Sequence, residues 1–137
     1  MILSCGIVPV RFINGRPQFL LLENHSHQDF PKGCVEGDES PLDCAKRELK
    51  EESSLADPEF FWGTEFYETD PYSRPEKIAR YYVARISPDA KVILLPNPKT
   101  GLVEHNSFAW LDRGSAKKVL KPRIAKVLTW ATGVING

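Results

Sequence analysis

Apolar residues alternate loosely with polar ones through residues 2–13, a stretch rich in Ile and Val, and this spacing predicts a strand. A second, short and largely apolar run at 17–23 (Pro17-Gln18-Phe19-Leu20-Leu21-Leu22-Glu23) predicts a buried strand. Asn14-Gly15 lies between them, and both residues tolerate positive φ, so a tight hairpin is expected. Pro9 has no amide donor, which predicts an edge or a bulge in the first strand. Residues 24–38 are turn-rich. A helix is predicted over 41–53, with Ser40 as its cap, Pro41 in its first turn and Asp43 in the place of a capping-box acid. Strands are expected at 59–68, 77–86 and 107–111. The spacing of Val119, Leu120, Ile124, Val127, Leu128 and Trp130 predicts helices over 114–120 and 122–132, the second opened by Pro122. Strands, helix, strands and helices in that order imply an α+β or mixed α/β fold with helices packed on a sheet. The long segment 87–106, with Pro96 and Pro98, is expected to serve function.

Composition narrows the class. A chain of 137 residues, 42% of them apolar, suits one domain (1–137) with a real core. Lys and Arg (18) balance Asp and Glu (18), so a protein that coats polyanions is disfavoured. No run approaches the ~20 apolar residues that span a bilayer. The start, Met1-Ile2-Leu3-Ser4-Cys5, lacks the charged region of a signal peptide. Cys5, Cys34 and Cys44 are odd in number and lack metal spacing, so a reducing cytoplasm is the expected compartment.

The most informative segment is Arg47-Glu48-Leu49-Lys50-Glu51-Glu52. On a helix, Glu48, Glu51 and Glu52 share a face about 100° wide, with Glu48 and Glu52 roughly 6 Å apart along the axis. Like charges so placed repel by some tenths of a kcal/mol per pair. A divalent cation is the natural compensating partner, since hard oxygen ligands suit Mg²⁺ or Mn²⁺. Leu42, Ala45 and Leu49 form the adjacent apolar stripe. The same residues also fit a solvated face, with Lys46 and Lys50 opposite and Arg47 pairing Glu51 at i,i+4.

The wider spacing favours the metal. Five residues separate Gly33 from Glu39, and seven separate Glu39 from Arg47-Glu48-Leu49, with Glu51-Glu52 and Leu55 following. This resembles the Nudix box, at residues 33–55. Six fixed matches arise by chance with odds on the order of one in 100,000 at average residue usage. Ser54 departs from the pattern, standing where the box has Gly. A left-handed conformation there costs Ser about 1 kcal/mol.

The resemblance implies a mixed sheet sandwiched between helices, and hydrolysis of a nucleoside diphosphate linked to another group with Mg²⁺ or Mn²⁺. It implies Glu48, Glu51 and Glu52 as metal ligands, with the Gly33 carbonyl as a further one. Arg47 would orient the glutamates, and Glu39 would support the loop or contact a metal through water. Glu51, Glu52 or Glu104 would take the proton of the attacking water. Glu104, in the long segment, suits a distant acid that serves as base or metal ligand; an ordinary exposed loop residue is the alternative.

Outside the box, Phe30-Pro31-Lys32-Gly33, Lys77-Ile78, Tyr81-Tyr82, Glu104-His105 and Phe108-Ala109-Trp110-Leu111 resemble the subgroup that cleaves diadenosine tetraphosphate asymmetrically to ATP and AMP. Lys32, Lys77 and His27 would then meet the phosphates. A tyrosine would stack on adenine; Tyr81 and Tyr82 point to opposite faces of a strand, and Tyr82 is the slight favourite. Core packing is the alternative for either ring. The competing readings are an RNA 5′-pyrophosphohydrolase or nucleoside triphosphate pyrophosphatase, and a non-catalytic binding module. The expected partner is a small nucleotide, with RNA entering only as a 5′ end, no membrane, and a monomeric chain.

Overall fold

The structure, a computed structural model, describes residues 1–25 and 27–137. In chain order its elements are β1 (Ile2–Ile13), β2 (Arg16–Asn24), β3 (His27–Asp29), β4 (Lys32–Cys34), α1 (Pro41–Ser53), β5 (Phe66–Glu68), β6 (Lys77–Arg85), β7 (Ser107–Leu111), α2 (Arg113–Val119) and α3 (Pro122–Asn136). The strands make one mixed sheet, ordered β3-β2-β1-β6-β5, with β4 also paired to β1 and β7 to β2. The β1–β6 pair is parallel along Ile2–Val10, and the other pairs are antiparallel.

Helices cover both faces, which is why the central strands read as apolar runs rather than clean alternations. On β1, Cys5 and Ile7 face α1, whereas Val8 and Val10 face α2 and α3. Leu20 and Leu22 of β2 join the first layer, and Phe19 and Leu21 the second. Cys44, Ala45 and Leu49 of α1 close one side; Ile124, Val127, Leu128 and Ala131 of α3 close the other. Each fully buried Val, Leu, Ile or Phe side chain contributes about 1.5–3 kcal/mol.

The hairpin forms at Asn14 (φ 52°) and Gly15 (φ 78°), as those two residue types predict. Helix α1 has its expected bounds. Helices α2 and α3 lie where the apolar spacing places them, α2 starting and ending a residue earlier and α3 running on to Asn136.

Three expectations change. Pro9 does not lie on an edge strand, because β1 is central. The β4 register ends at Gly6 and the β2 register starts at Val10, so Pro9 occupies the interval where β1 changes partner on that side. The aromatic stretch 59–68 holds a strand only at its end: Gly63 adopts φ 97°, and its amide bonds back to the Phe60 carbonyl in a turn. Upstream, Glu59 bridges Arg85 in isolation. The turn-rich segment 24–38 contains β3 and β4, three residues each, whose strand character comes from their partners β2 and β1.

Leu49→Ala tests the packing of α1. Leu49 is fully buried between α1 and the sheet. The substitution is expected to lower unfolding free energy by about 2–5 kcal/mol, read as a shift of the urea midpoint at unchanged m-value.

Candidate active site

Helix α1 presents the acidic face. Ser40 Oγ accepts the Asp43 amide at 3.1 Å, Pro41 opens the helix, and Ser54 closes it at φ 68° with its amide donated to the Lys50 carbonyl. With Leu49 turned into the core, Glu48, Glu51 and Glu52 are left on the flank of the helix that meets β4 and the 91–106 segment.

Arg47 organises the cluster. Its guanidinium donates to both Glu39 oxygens at 3.0 and 2.7 Å, to Glu48 Oε1 at 2.8 Å, to Glu51 Oε2 at 3.1 Å and to the Cys34 carbonyl at 3.0 Å. It also lies 3.3 Å from Glu36 Oε2. The two-point bond to Glu39 is the stronger, geometrically specific kind. It holds the Glu39 carboxyl down at about 2. Glu48 behaves in the opposite way: burial, followed by the charge of Glu52, pushes its carboxyl up to about 7 despite Arg47. Glu52 is buried, and burial raises it too, against the pull of His105 and the Lys32 amide.

Strand β4 supplies the backbone side. A Cβ on Gly33 would overlap the Glu48 carboxyl group, so only glycine lets that carboxyl lie against β4. The Lys32 amide donates to Glu52 Oε1 at 2.8 Å, and the Gly33 carbonyl accepts the Cys44 thiol at 3.4 Å. The neighbouring Cys5 thiol and burial push the Cys44 thiol up, so it remains a donor.

The 91–106 segment closes the other side. His105 Nε2 bonds Glu52 Oε2 at 2.7 Å. Burial opposes charge on His105, but Glu52, with Glu104 and Asp29, outweighs it and the imidazole is raised. Its Nδ1 is buried with no hydrogen-bond partner among the described residues. Glu104, exposed, accepts the Asn97 side-chain amide at 2.6 Å. One potential ligand atom from each of Glu52, Glu104 and His105 lies within 4.8 Å of the others.

These residues fit a divalent cation. The donors are hard oxygens, two carboxyls are held up by burial and mutual repulsion, and a glycine cradle admits one of them. Glu48, Glu51, Glu52 and Glu104 are brought together with Arg47, and Gly33 adjoins them with its carbonyl engaged by Cys44.

The expected phosphate and base contacts are more dispersed. Lys32 joins the cluster through its backbone, while its ammonium sits 3.6 Å from Asp29. His27 is exposed, its Nδ1 2.6 Å from Lys121 Nζ. Lys77 begins β6, paired with Ile2 and bridged to Tyr72. The tyrosine expectation needs correction. Tyr81 is 0% exposed on the α3 side, its hydroxyl donating to Asp29 at 3.0 Å. Tyr82 is 5% exposed on the α1 side, with its ring centroid 5.8 Å from that of Phe66. Their faces are opposite, as the strand period requires, but helices cover both, so neither ring offers a free face for stacking.

Sequence reasoning missed His105 as a partner of Glu52, although it lies beside Glu104. It also missed Glu36 and Asp29, whose signals are nothing more than acids near a Lys or Arg in the chain.

The charge pattern predicts a pH signature in chelator-treated protein. A carboxyl raised from 4.5 to about 7 adds stability that is complete at low pH and is lost as pH rises through that interval. Glu39, lowered to about 2, adds stability above 4.5 that is lost as pH falls towards its folded value. Glu48→Gln is expected to flatten the neutral limb of Tm against pH and Glu39→Gln the acid limb; unchanged limbs would refute the assignment.

The NUDIX domain profile matches residues 5–131. No curated protein matches the sequence. Among solved structures, a C. elegans Ap4A hydrolase binary complex is similar at TM-score 0.80 and 22% identity, covering 100% of this chain and 99% of that one. The E. coli dihydroneopterin triphosphate pyrophosphohydrolase is similar at TM-score 0.71 and 17% identity, covering 98% and 96%. The MutT protein of Methanosarcina mazei Go1 is similar at TM-score 0.71 and 20% identity, covering 99% and 96%. With residues 33–55 carrying the acidic cluster inside a domain match that spans nearly the whole chain, the protein belongs to the NUDIX hydrolase family.

Proposed function

We propose that the protein hydrolyses a dinucleoside tetraphosphate, diadenosine tetraphosphate in the first instance, asymmetrically to ATP and AMP with Mg²⁺ or Mn²⁺. The observation that carries the reading is the convergence of Glu48, Glu51 and Glu52 on one flank of α1 with Glu104 and His105 across from them. Support for the substrate class comes from the Pro31-Lys32-Gly33 entry to the box, the Glu104-His105 pair and the Phe108–Leu111 run.

Glu48, Glu51 and Glu52 would hold the cation, with Glu104 and the Gly33 carbonyl as additional oxygen donors. When bound, the cation neutralises phosphate charge and makes water a stronger nucleophile. Arg47 keeps three of the carboxylates from splaying under their own repulsion. Lys32, Lys77 and His27 would meet the remaining phosphates, Lys32 by giving up its pairing with Asp29 and His27 by hydrogen bonding from its ring. Water attacks one phosphorus in line: a new P–O bond forms, the bridging P–O bond breaks, and AMP and ATP leave. Glu104, exposed on its loop and within reach of Glu52, takes the proton. Glu52 is the better-buried member, steadied by the Lys32 amide and His105, and serves as ligand.

Glu52→Gln is expected to lower kcat by at least about 10²-fold, since a neutral amide keeps the shape and still accepts the Lys32 amide but loses the charge. Its Tm should stay near that of the parent, because a repelling charge is removed. The substrate assignment is checked by product identity from diadenosine tetraphosphate with Mg²⁺. ATP plus AMP supports it. Faster turnover of 5′-triphosphorylated RNA or a nucleoside triphosphate would move the assignment to those substrates, and no hydrolysis product from any of them would point to a binding module.

A further inference from the structure

The box departs from its pattern at Ser54, and the structure gives that side chain a task a glycine cannot perform. Ser54 ends α1 in the left-handed region at φ 68°, ψ 9°, a conformation in which glycine is free of strain and serine is not. Its hydroxyl donates to the Ile93 carbonyl at 2.7 Å. One residue earlier, the Ser53 carbonyl accepts the Ile93 amide at 3.0 Å. Ile93 is thus held on both its backbone groups by the last turn of α1, the helix that carries Glu48, Glu51 and Glu52.

The remainder of the segment follows from this anchor. Val92 and Leu94, on either side of Ile93, pack on the α1 layer of the core. Asn97 accepts the Gly101 amide at 2.8 Å and donates its own to the Leu102 carbonyl at 2.7 Å, which turns the chain back. Asn97 also grips Glu104 through its side chain. The Asn106 amide ends the segment on the Glu23 carbonyl of β2 at 3.0 Å. Between the Ile93 and Asn106 anchors stand Glu104 and His105, against Glu52. Asn106 fixes the β2 end, while the α1 end depends on Ile93, where Ser54 supplies one of two hydrogen bonds.

We propose that Ser54 is a positioning residue: its hydroxyl bond to Ile93 registers the 91–106 segment on α1 so that Glu104 and His105 meet Glu52. The bond between side chain and backbone takes the place of the unstrained backbone that glycine would give. The role presupposes the hydrolase reading above, although the placement itself can be tested without turnover.

The test is Ser54→Gly, with Ser54→Asn as the rescue, since Asn tolerates the left-handed region and carries an amide donor. A residue that only holds the fold together would lower stability and activity in parallel. Here the two are expected to separate. Ser54→Gly should leave Tm equal to or above that of the parent, because the strain is gone. Hydrogen–deuterium exchange over 94–105 should nevertheless quicken, and kcat should fall about tenfold with KM changed less than about threefold, as misplacing a catalytic group does. Ser54→Asn should recover at least part of the exchange protection and of kcat. Parent-like exchange over 94–105 in Ser54→Gly would overturn the proposal, as would a parent-like kcat or a drop in Tm that accounts for the lost activity. If the parent protein itself forms no hydrolysis product from any nucleoside polyphosphate, the hydrolase reading fails, and the exchange comparison still decides whether Ser54 places the segment.

Discussion

Carboxylates gathered on one helix drive themselves apart, and the site depends on what restrains them. Arg47 is the principal restraint. One guanidinium meets Glu36, Glu39, Glu48 and Glu51 and a backbone carbonyl. A planar fork with several donors can do this, whereas a lysine ammonium lacks the geometry. The restraint is incomplete by construction. Glu39 is fully satisfied and strongly acidic, while Glu48 and Glu52 keep a surplus of repulsion and lost hydration. A bound cation would relieve that surplus, so the feature that weakens the metal-free protein would also favour binding.

The fold serves this arrangement by bringing three separate pieces of chain to one end of α1. Strand β4 offers a backbone amide and a side-chain-free surface at Gly33. The helix offers the carboxylates, and the 91–106 segment offers Glu104 and His105. Covering both faces of the sheet fixes where each piece lies, because β1 must pair with β4, β2 and β6 while turning alternate side chains into two apolar layers.

Much of this was legible where the signal is local. Ser40, Pro41 and the Leu49 stripe announce α1 within one stretch of chain, and Asn14-Gly15 announces the hairpin. The glutamate spacing with Gly33 and Arg47 announced the core of the site. What was hidden depends on partners distant in sequence. His105 and Glu52 are 53 residues apart, and no periodicity joins them. Strands β3 and β4 are too short to have a pattern and exist through their neighbours. The aromatic residues of 59–68 imitate a strand, but Gly63 folds them into a turn. For Tyr81 and Tyr82 the period of two gave the opposite faces correctly, yet it carries no information on whether a helix covers each face.

The 91–106 segment is fastened in two physically different ways. Near its start, Ser54 and Ser53 hold Ile93 through uncharged hydrogen bonds. At its exposed turn, the Lys99 ammonium reaches Glu36, the acid that also approaches Arg47. Dissolved ions screen the second fastening, over a distance of about 8 Å at physiological ionic strength, and hardly affect the first. Raising the salt concentration therefore weakens the Lys99–Glu36 pair and leaves the bonds to Ile93 nearly unchanged. The segment thus has one fastening whose strength varies with the surrounding electrolyte and one that does not.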